Sequence, residues 1–306
     1  MFVSVVIPTH NPNPDRFRRI IGAVRDQDFP SHQRELIVVD NGSQPRLDAK
    51  ILATELGLGI TVVNEGRLGL TPARIRGIRQ ARGEVIVFVD DDNVLATDYL
   101  SVAASRFEAD PKLGACGGKA LPEFETTPPD WTREFWHMLA IRDLGPESLR
   151  ASGASSYPEC APIGAGMAVR RQLALNWATE IEYDQVRMRL DRFGKSLASG
   201  GDNDLVLTVL EQGFDVEYVP ELVLTHLVSA RRTTTNYLAR LNYASSRTWV
   251  RLLRVHNVPT GWTPISWTGA AARKARSFFT LRPWRAAPDY VRWRGACGIF
   301  DGRAMK

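Results

Sequence analysis

Val85-Ile-Val-Phe-Val-Asp90-Asp91-Asp92-Asn93 sets three carboxylates at the end of five consecutive apolar residues. An apolar run of that length predicts a strand buried on both faces. In an open α/β sheet, ligands bind outside the carboxyl ends of the strands, which is where these aspartates emerge. Adjacent carboxylates repel one another, so the triplet calls for a cation, several hydrogen-bond donors or full solvation. Mg²⁺ and Mn²⁺ take hard oxygen ligands and commonly bridge one or two carboxylates to substrate phosphates. A solvated acidic turn capping the next helix is the plainer alternative.

Outward from this stretch, short Val- and Ile-rich runs at 2–8, 35–40, 60–64 and 113–118 predict further strands, with 84–90 among them. Helices are expected between them. Phe17, Ile20, Ile21 and Val24 recur at helical spacing after Pro14, a favoured first helical residue. Residues 70–81 and 97–109 fill the next gaps, with Gly83 as a stop for the first. This alternation predicts an α/β fold with a mostly parallel central sheet flanked by helices. From 119 to 157, prolines interleave with Trp131, Phe135 and Trp136, which predicts a long functional loop. A helix over 202–212 ending at Gly213, then two short strands at 215–219 and 222–226, complete the body.

Charge is unevenly spread. Residues 231–306 hold 15 Lys and Arg against Asp289 and Asp301, a balance of +13, which leaves −8 on the rest of a chain whose total is +5. Five of the eight tryptophans lie in the same tail. The three cysteines, Cys116, Cys160 and Cys297, have neither metal-like spacing nor an even count, so a reducing cytoplasm is expected. No run approaches the roughly 20 apolar residues of a spanning helix, and the apolar start lacks a basic leader, so it reads as a strand.

Several segments together resemble the family 2 glycosyltransferases of the GT-A, nucleotide-sugar-binding fold. They are Val3-Ser-Val-Val-Ile-Pro-Thr-His-Asn11, Glu35-Leu-Ile-Val-Val-Asp40-Asn41-Gly42-Ser43, Gly69-Leu-Thr-Pro-Ala-Arg74-Ile-Arg-Gly77 and the Asp90-Asp91-Asp92 triplet. Gly164-Ala-Gly166-Met-Ala-Val-Arg170 and Gly200-Gly-Asp202-Asn-Asp204-Leu, with His226 downstream, continue the series in the family's order. The resemblance implies an inverting, metal-dependent transfer from a UDP-, dTDP- or GDP-linked sugar to a glycan or lipid-linked acceptor, in surface-polysaccharide or glycolipid synthesis. Residues 1–118 would be the donor half, 119–230 the acceptor half and 231–306 a basic helical tail.

It also implies roles. Pro8, Thr9, Asn11, Asp40, Arg74, Asp90 and Asp91 would contact the nucleotide-sugar, although Asp40 also suits a turn before Asn41-Gly42 and Arg74 a helix surface. The family usually has Asn after this Arg; here it is Ile75. Asp92, with His226 as a further ligand or phosphate contact, would hold Mn²⁺ or Mg²⁺. Gly164, Gly166 and Trp131 would face the acceptor. The general base would be Asp202, with Asp204 as a sharer because the family's Glu-Asp pair is Gly201-Asp202 here; Asp202 also suits a helix cap.

In the tail, Arg240, Arg247, Arg251 and Arg254 share one helical face beside Leu238, Leu241, Trp249, Leu252 and Leu253. Such a helix suits an anionic membrane surface at the inner face of the cell membrane, or packing on the body with its arginines solvated or binding diphosphate. A non-catalytic nucleotide-sugar or glycan-binding protein on the same fold is the alternative reading. The acidic body argues against a nucleic-acid partner.

Overall fold

The computed structural model describes residues 1–306 apart from 51, 53–58, 195 and 306. The chain runs β1 (Val3–Thr9), α1 (Pro14–Arg25), β2 (Arg34–Asp40), β3 (Ile60–Asn64), α2 (Leu70–Gln80), β4 (Val85–Phe88), β5 (Asn93–Leu95), α3 (Tyr99–Ala109) and β6 (Leu113–Phe124). It continues with β7 (Leu149–Ser152), β8 (Ala168–Arg170), α4 (Arg171–Ile181), α5 (Gly201–Glu211), β9 (Asp215–Val228), α6 (Thr235–Val255), α7 (Trp267–Leu281) and α8 (Ala287–Ala304).

The strands form one sheet in the order β3-β2-β1-β4-β8-β6-β9-β5, with β7 paired to β9. β1 to β4 pair in parallel with one another, and β6 pairs in parallel with β9; β8 runs antiparallel to both β4 and β6, and β5 and β7 run antiparallel to β9. The longer ladders are thus parallel, as expected, and the antiparallel joins at β8, β5 and β7 are short. Successive residues of a strand point to opposite faces. Val6, Ile37 and Val39 enter a core with α2, α4 and α5, while Val5, Ile7 and Val38 enter a second core with α1 and α3. Burial on both sides is why these strands read as unbroken apolar runs. Asn13 caps α1, its Oδ1 accepting from the Asp15 and Arg16 amides, with Pro14 as the first helical residue.

The departures from expectation have local causes. Helix α2 stops at Ala81, whose backbone is extended, and not through a left-handed Gly83. Gly83 is small for another reason: a Cβ there would lie 2.5 Å from the Ser4 amide nitrogen. Strand β6 does not end at Gly118 but runs through the 118/119 division to Phe124, so the predicted loop is shorter. The two strands predicted around Pro220 are a single β9. Gly117 pairs with Tyr218 and Lys119 with Val223, so Pro220 falls in the bulge between them, where its missing N–H costs no ladder bond.

The tail is bound to the body. Leu238, Leu241, Leu252 and Leu253 are buried, so the α6 apolar stripe faces protein and offers no face to a membrane. On α8, Gly295, Gly298 and Gly302 form a small-residue ridge. A Cβ at Gly295 would come within 2.6 Å of Asn242, and one at Gly302 within 2.8 Å of Val250, so α8 lies directly against α6. Among the described residues no helix is long and apolar enough to cross a membrane.

Candidate active site

A cavity of about 380 Å³ opens beyond the carboxyl ends of β1 and β4, adjacent parallel strands. Its lining brings together Pro8, Thr9, Arg74, Asp90, Asp91, Asp92, Gly164, Asp202 and His226, residues spread over most of the body sequence.

Pairing positions the acidic triplet. After β4 the chain turns through Asp90–Asp92 into β5, whose Asn93 pairs with His226 of β9. That register sets the His226 Nε2 3.3 Å from Asp92 Oδ2, and the Leu227 amide donates to the Asp92 carbonyl at 2.8 Å. Arg232, just past β9, donates from Nη1 to the same Asp92 Oδ2 at 2.5 Å. Burial would raise the Asp92 carboxyl, but His226 and Arg232 hold it well below the ordinary carboxylate range. Thr9 Oγ1 donates to Asp91 Oδ2 at 2.5 Å. Burial nevertheless pushes Asp91 up to about 6, with Asp92 and Asp90 adding to the rise. Asp90 is raised in the same way, by burial and Asp92 against the pull of Arg74.

Arg74 stands behind the triplet. It is buried, with Nη1 3.2 Å from Asp191 Oδ2, Nη2 3.7 Å from Asp90 Oδ1, and its guanidinium over the Phe88 ring at 5.7 Å. Burial alone would lower its pKa; Asp191, Asp90 and Asp202 raise it, so the guanidinium stays charged. Ile75, where the family usually has Asn, is a core side chain. Asp202 opens α5, and its Oδ2 accepts from the Gly164 amide at 2.8 Å. Gly164 is the residue that lets cation and carboxylate meet: a Cβ there would lie 2.5 Å from Arg74 Nη2 and 3.2 Å from Asp202 Cβ.

Five predicted site residues lie outside this lining. Asp204, one turn edge away from Asp202, points into the core; Trp177 Nε1 donates to it at 2.7 Å, Arg187 Nε at 2.9 Å and His256 Nε2 at 2.8 Å. It is 1% exposed and cannot share the acceptor's proton. Asp40 is also fully buried and accepts from the Ser43 and Leu47 amides at 2.8 and 3.0 Å, which makes it the organiser of the loop after β2. Asn11 braces that loop, taking the Gln44 amide on Oδ1 and giving its own amide to Ser43 Oγ. Gly166 has φ +76°, and its carbonyl accepts from the buried Tyr99 hydroxyl at 2.6 Å. Trp131 packs edge-on to Phe135, while Met138, Leu139 and Ala140 of the same segment reach the cavity instead.

Sequence reasoning missed Asp191, Arg192 and Arg232, all of which line the cavity. Asp191 had one signal: Gly201 directly before Asp202 is glycine because a Cβ there would collide with the Asp191 carboxylate. Burial pushes Asp191 up to about 6, with Asp202 adding and Arg74 opposing. Arg232 had none, since it sat in a tail rich in arginine.

Among the described residues no three His, Cys, Asp or Glu side chains cluster closely enough to cage a metal by themselves. Asp92 and His226 do touch, at 3.3 Å, and Asp90 Oδ1 and His226 Nδ1 are buried without a hydrogen-bond partner. That donor set suits a hard divalent cation whose remaining ligands come from a phosphorylated substrate.

The chain matches "Glycosyl transferase family 2" over residues 4–174. It is similar to the N-acetylglucosaminyltransferase of Rhizobium meliloti, 28% identical over 234 residues that cover 74% of this chain and 51% of that protein. The N-acetylglucosaminyltransferase of Mesorhizobium japonicum is 30% identical over 237 residues, with the same coverage of 74% and 51%. The chain thus spans about half the length of the curated relatives it matches. Among solved structures it is similar to the mannosyltransferase PcManGT from Pyrobaculum calidifontis in complex with GDP-Man and Mn²⁺ (TM-score 0.58, 19% identity, 98% of this chain and 87% of that one). It is also similar to S. aureus TarS 1-349 in complex with UDP-GlcNAc (TM-score 0.51, 13% identity, 99% and 90%). These likenesses carry the fold, which is GT-A. With more than half of its length matched by the family, the chain belongs to glycosyl transferase family 2.

Proposed function

We propose that this chain is an inverting glycosyltransferase that moves a sugar from a nucleotide-diphosphate sugar to an acceptor hydroxyl. The observation that carries the reading is a single cavity in which the Asp90–Asp92 triplet, charged Arg74 and Asp202 meet. The nucleotide enters at Pro8 and Thr9, and the sugar lies toward Gly164. Arg192 and Arg232, both on the cavity wall, counter the charge that develops on the leaving diphosphate. Asp202, held by the Gly164 amide, takes the proton of the acceptor hydroxyl as it displaces the nucleotide from the anomeric carbon. Asp204 is not assigned a catalytic part.

Mn²⁺ or Mg²⁺ would be held by Asp92, with Asp90 and His226 beside it, and would supply Lewis-acid stabilisation of the leaving diphosphate. Arg232, which already donates to Asp92 Oδ2, would compete with such an ion for that carboxylate. The relatives named N-acetylglucosaminyltransferase and the TarS complex make UDP-GlcNAc the first donor to try. The test is a thermal-shift and donor-hydrolysis screen of UDP-, dTDP- and GDP-sugars with Mn²⁺, Mg²⁺ or EDTA, on wild type and Asp92→Ala. Stabilisation or turnover by one nucleotide class, dependent on metal and lost in the variant, supports the reading. No response to any nucleotide-sugar, with the variant indistinguishable from wild type, returns the non-catalytic alternative.

Peripheral attachment to an anionic membrane surface, with a lipid-linked acceptor, moves from α6 to α7. On α7 and the turn that follows it, Trp267, Phe279 and Trp284 are 59%, 70% and 59% exposed, among exposed Arg273, Arg276, Arg282 and Arg285. Aromatic and basic side chains together suit a headgroup interface. Anionic vesicles should sediment the wild type and not Trp267→Ala/Phe279→Ala/Trp284→Ala; equal sedimentation rejects this attachment.

A further inference from the structure

A second cavity, of about 320 Å³, lies between α6, α8 and the segment that leads to α5. Its charged lining is Arg189, Arg240, Arg247, Arg251 and Arg294, with no acidic side chain on the wall among the described residues. Arg240, Arg247 and Arg251 sit on one face of α6, seven and four residues apart, and the glycine ridge of α8 brings Arg294 up against that face. The Arg294 guanidinium stacks on the Tyr243 ring at 4.8 Å, and its Nε is buried with no hydrogen-bond partner. Arg247 Nε donates to the Met305 sulfur, a weak acceptor, at 3.1 Å. Burial lowers the Arg251 pKa, and Arg247, Arg189 and Arg254 lower it further against the pull of Asp184.

Several arginines elsewhere in the chain are neutralised. Arg187 pairs with Asp204 and Glu180, Arg150 with Asp110 and Asp215, and Arg292 with Glu134 and Asp289. Among the described residues no carboxylate lies within ion-pair distance of Arg189, Arg247, Arg251 or Arg294. Gathering like charges around a half-enclosed volume costs free energy unless an anion enters it. Planar guanidinium forks match phosphate oxygens in pairs.

The cavity also has a defined relation to the catalytic one. Ser196, Leu197 and Ala198 line it, while Gly194 and Ser199 of the same segment line the active site, three residues before Asp202. We propose that this arginine cavity is a second binding site, for a phosphate or diphosphate group, and that the group it holds belongs to the acceptor. Assigning the anion to an acceptor rests on the transferase reading; the anion site itself does not. The source is either a lipid phosphate or a soluble phosphorylated glycan.

The test is calorimetric titration of the full chain with inorganic diphosphate, wild type against the arginine-cavity variants, so that any binding in the catalytic cavity is common to both. Whether UDP binds to the double variant is read separately and reports on the donor reading. Arg251→Gln/Arg294→Gln should weaken diphosphate binding by about a hundredfold, at roughly tenfold for each lost charge-assisted contact. Arg251→Lys keeps the charge and should lose about tenfold or less, which separates loss of the site from loss of the fold. Phosphatidylcholine vesicles with and without phosphatidic acid form the second arm. Phosphatidic-acid-dependent capture lost in the double variant identifies a lipid phosphate. Capture unchanged while diphosphate binding is lost identifies a soluble phosphorylated acceptor. Diphosphate bound equally by wild type and the folded double variant, or by neither, overturns the proposal.

Discussion

Replacing Asp204 by Asn should unfold the protein more readily without touching the chemistry, and Asp202→Asn should do the reverse. The Asp204 carboxylate is buried and faces two cationic partners, Arg187 at 2.9 Å and His256 at 2.8 Å, as well as the Trp177 indole. Removing one side of a buried pair leaves the other charges uncompensated, which costs about 3–5 kcal/mol. For a chain of this size each kcal/mol lowers Tm by about 2–4 °C, so the fall should be on the order of 10 °C. Asp202 lines the cavity and accepts one amide hydrogen bond, which an Asn side-chain oxygen can still accept. Its substitution should leave Tm within about 2 °C while lowering kcat by at least about a hundredfold, the usual contribution of a general base. Thermal melts and initial transfer rates on the same preparations separate the two. A wild-type Tm with lost transfer in Asp204→Asn, or retained transfer in Asp202→Asn, would refute the assignment.

Other expectations follow from the same contacts. His256 sits between Asp204 and Glu211, with a ring nitrogen 2.8 Å from each; burial lowers its pKa, but those two carboxylates raise it overall. A folded pKa above the unfolded value means the stabilisation is complete below about pH 6.5 and is lost as pH rises through the folded value. The urea midpoint should therefore fall from pH 6 to pH 9 in wild type and stay flat in His256→Gln. Gly164→Ala sets a methyl 2.5 Å from Arg74 Nη2; kcat/KM should drop at least about tenfold, checked by steady-state kinetics, and wild-type kinetics would mean that Arg74 and Asp202 need not approach here. Arg232→Gln frees Asp92 Oδ2 from its cationic partner. Mn²⁺ affinity, read by paramagnetic titration, should rise about tenfold, and a fall would show that Arg232 helps to hold the ion or its phosphate ligand.

Most of the catalytic cavity was legible because its residues sit at strand ends, where the sequence pattern itself changes from apolar to polar. Asp90–Asp92 closes an apolar run, Pro8 and Thr9 close another, and Asp202 follows a glycine pair at a helix start. What the pattern does not carry is which way a polar side chain turns. Asp202 and Asp204 lie two residues apart on α5, and helical geometry alone sends the second inward, to Trp177 and Arg187. Asp40 and Asp90 both follow buried strand residues, yet the turn after β2 folds back so that its own amides satisfy Asp40, whereas the turn after β4 leaves Asp90 Oδ1 without a hydrogen bond, facing only Arg74 at 3.7 Å. The difference lies in backbone turn geometry, which residue types constrain only weakly.

The tail shows the same limit at a larger scale. Its arginine face and leucine stripe were both visible as helical periodicities, but periodicity names a face without naming what covers it. The leucines of α6 face the body and α8 closes over another side through three glycines spaced for contact, features that depend on how two distant segments meet. Once they meet, arginines that looked like a solvated stripe become the walls of a cavity beside the segment that carries Asp202. A basic tail that merely kept the chain soluble would spread its charge over the exposed surface. Here α6 and α8 are held by small residues at a separation that concentrates it, and the unpartnered Arg294 Nε marks the place where an acceptor's phosphate would complete the set.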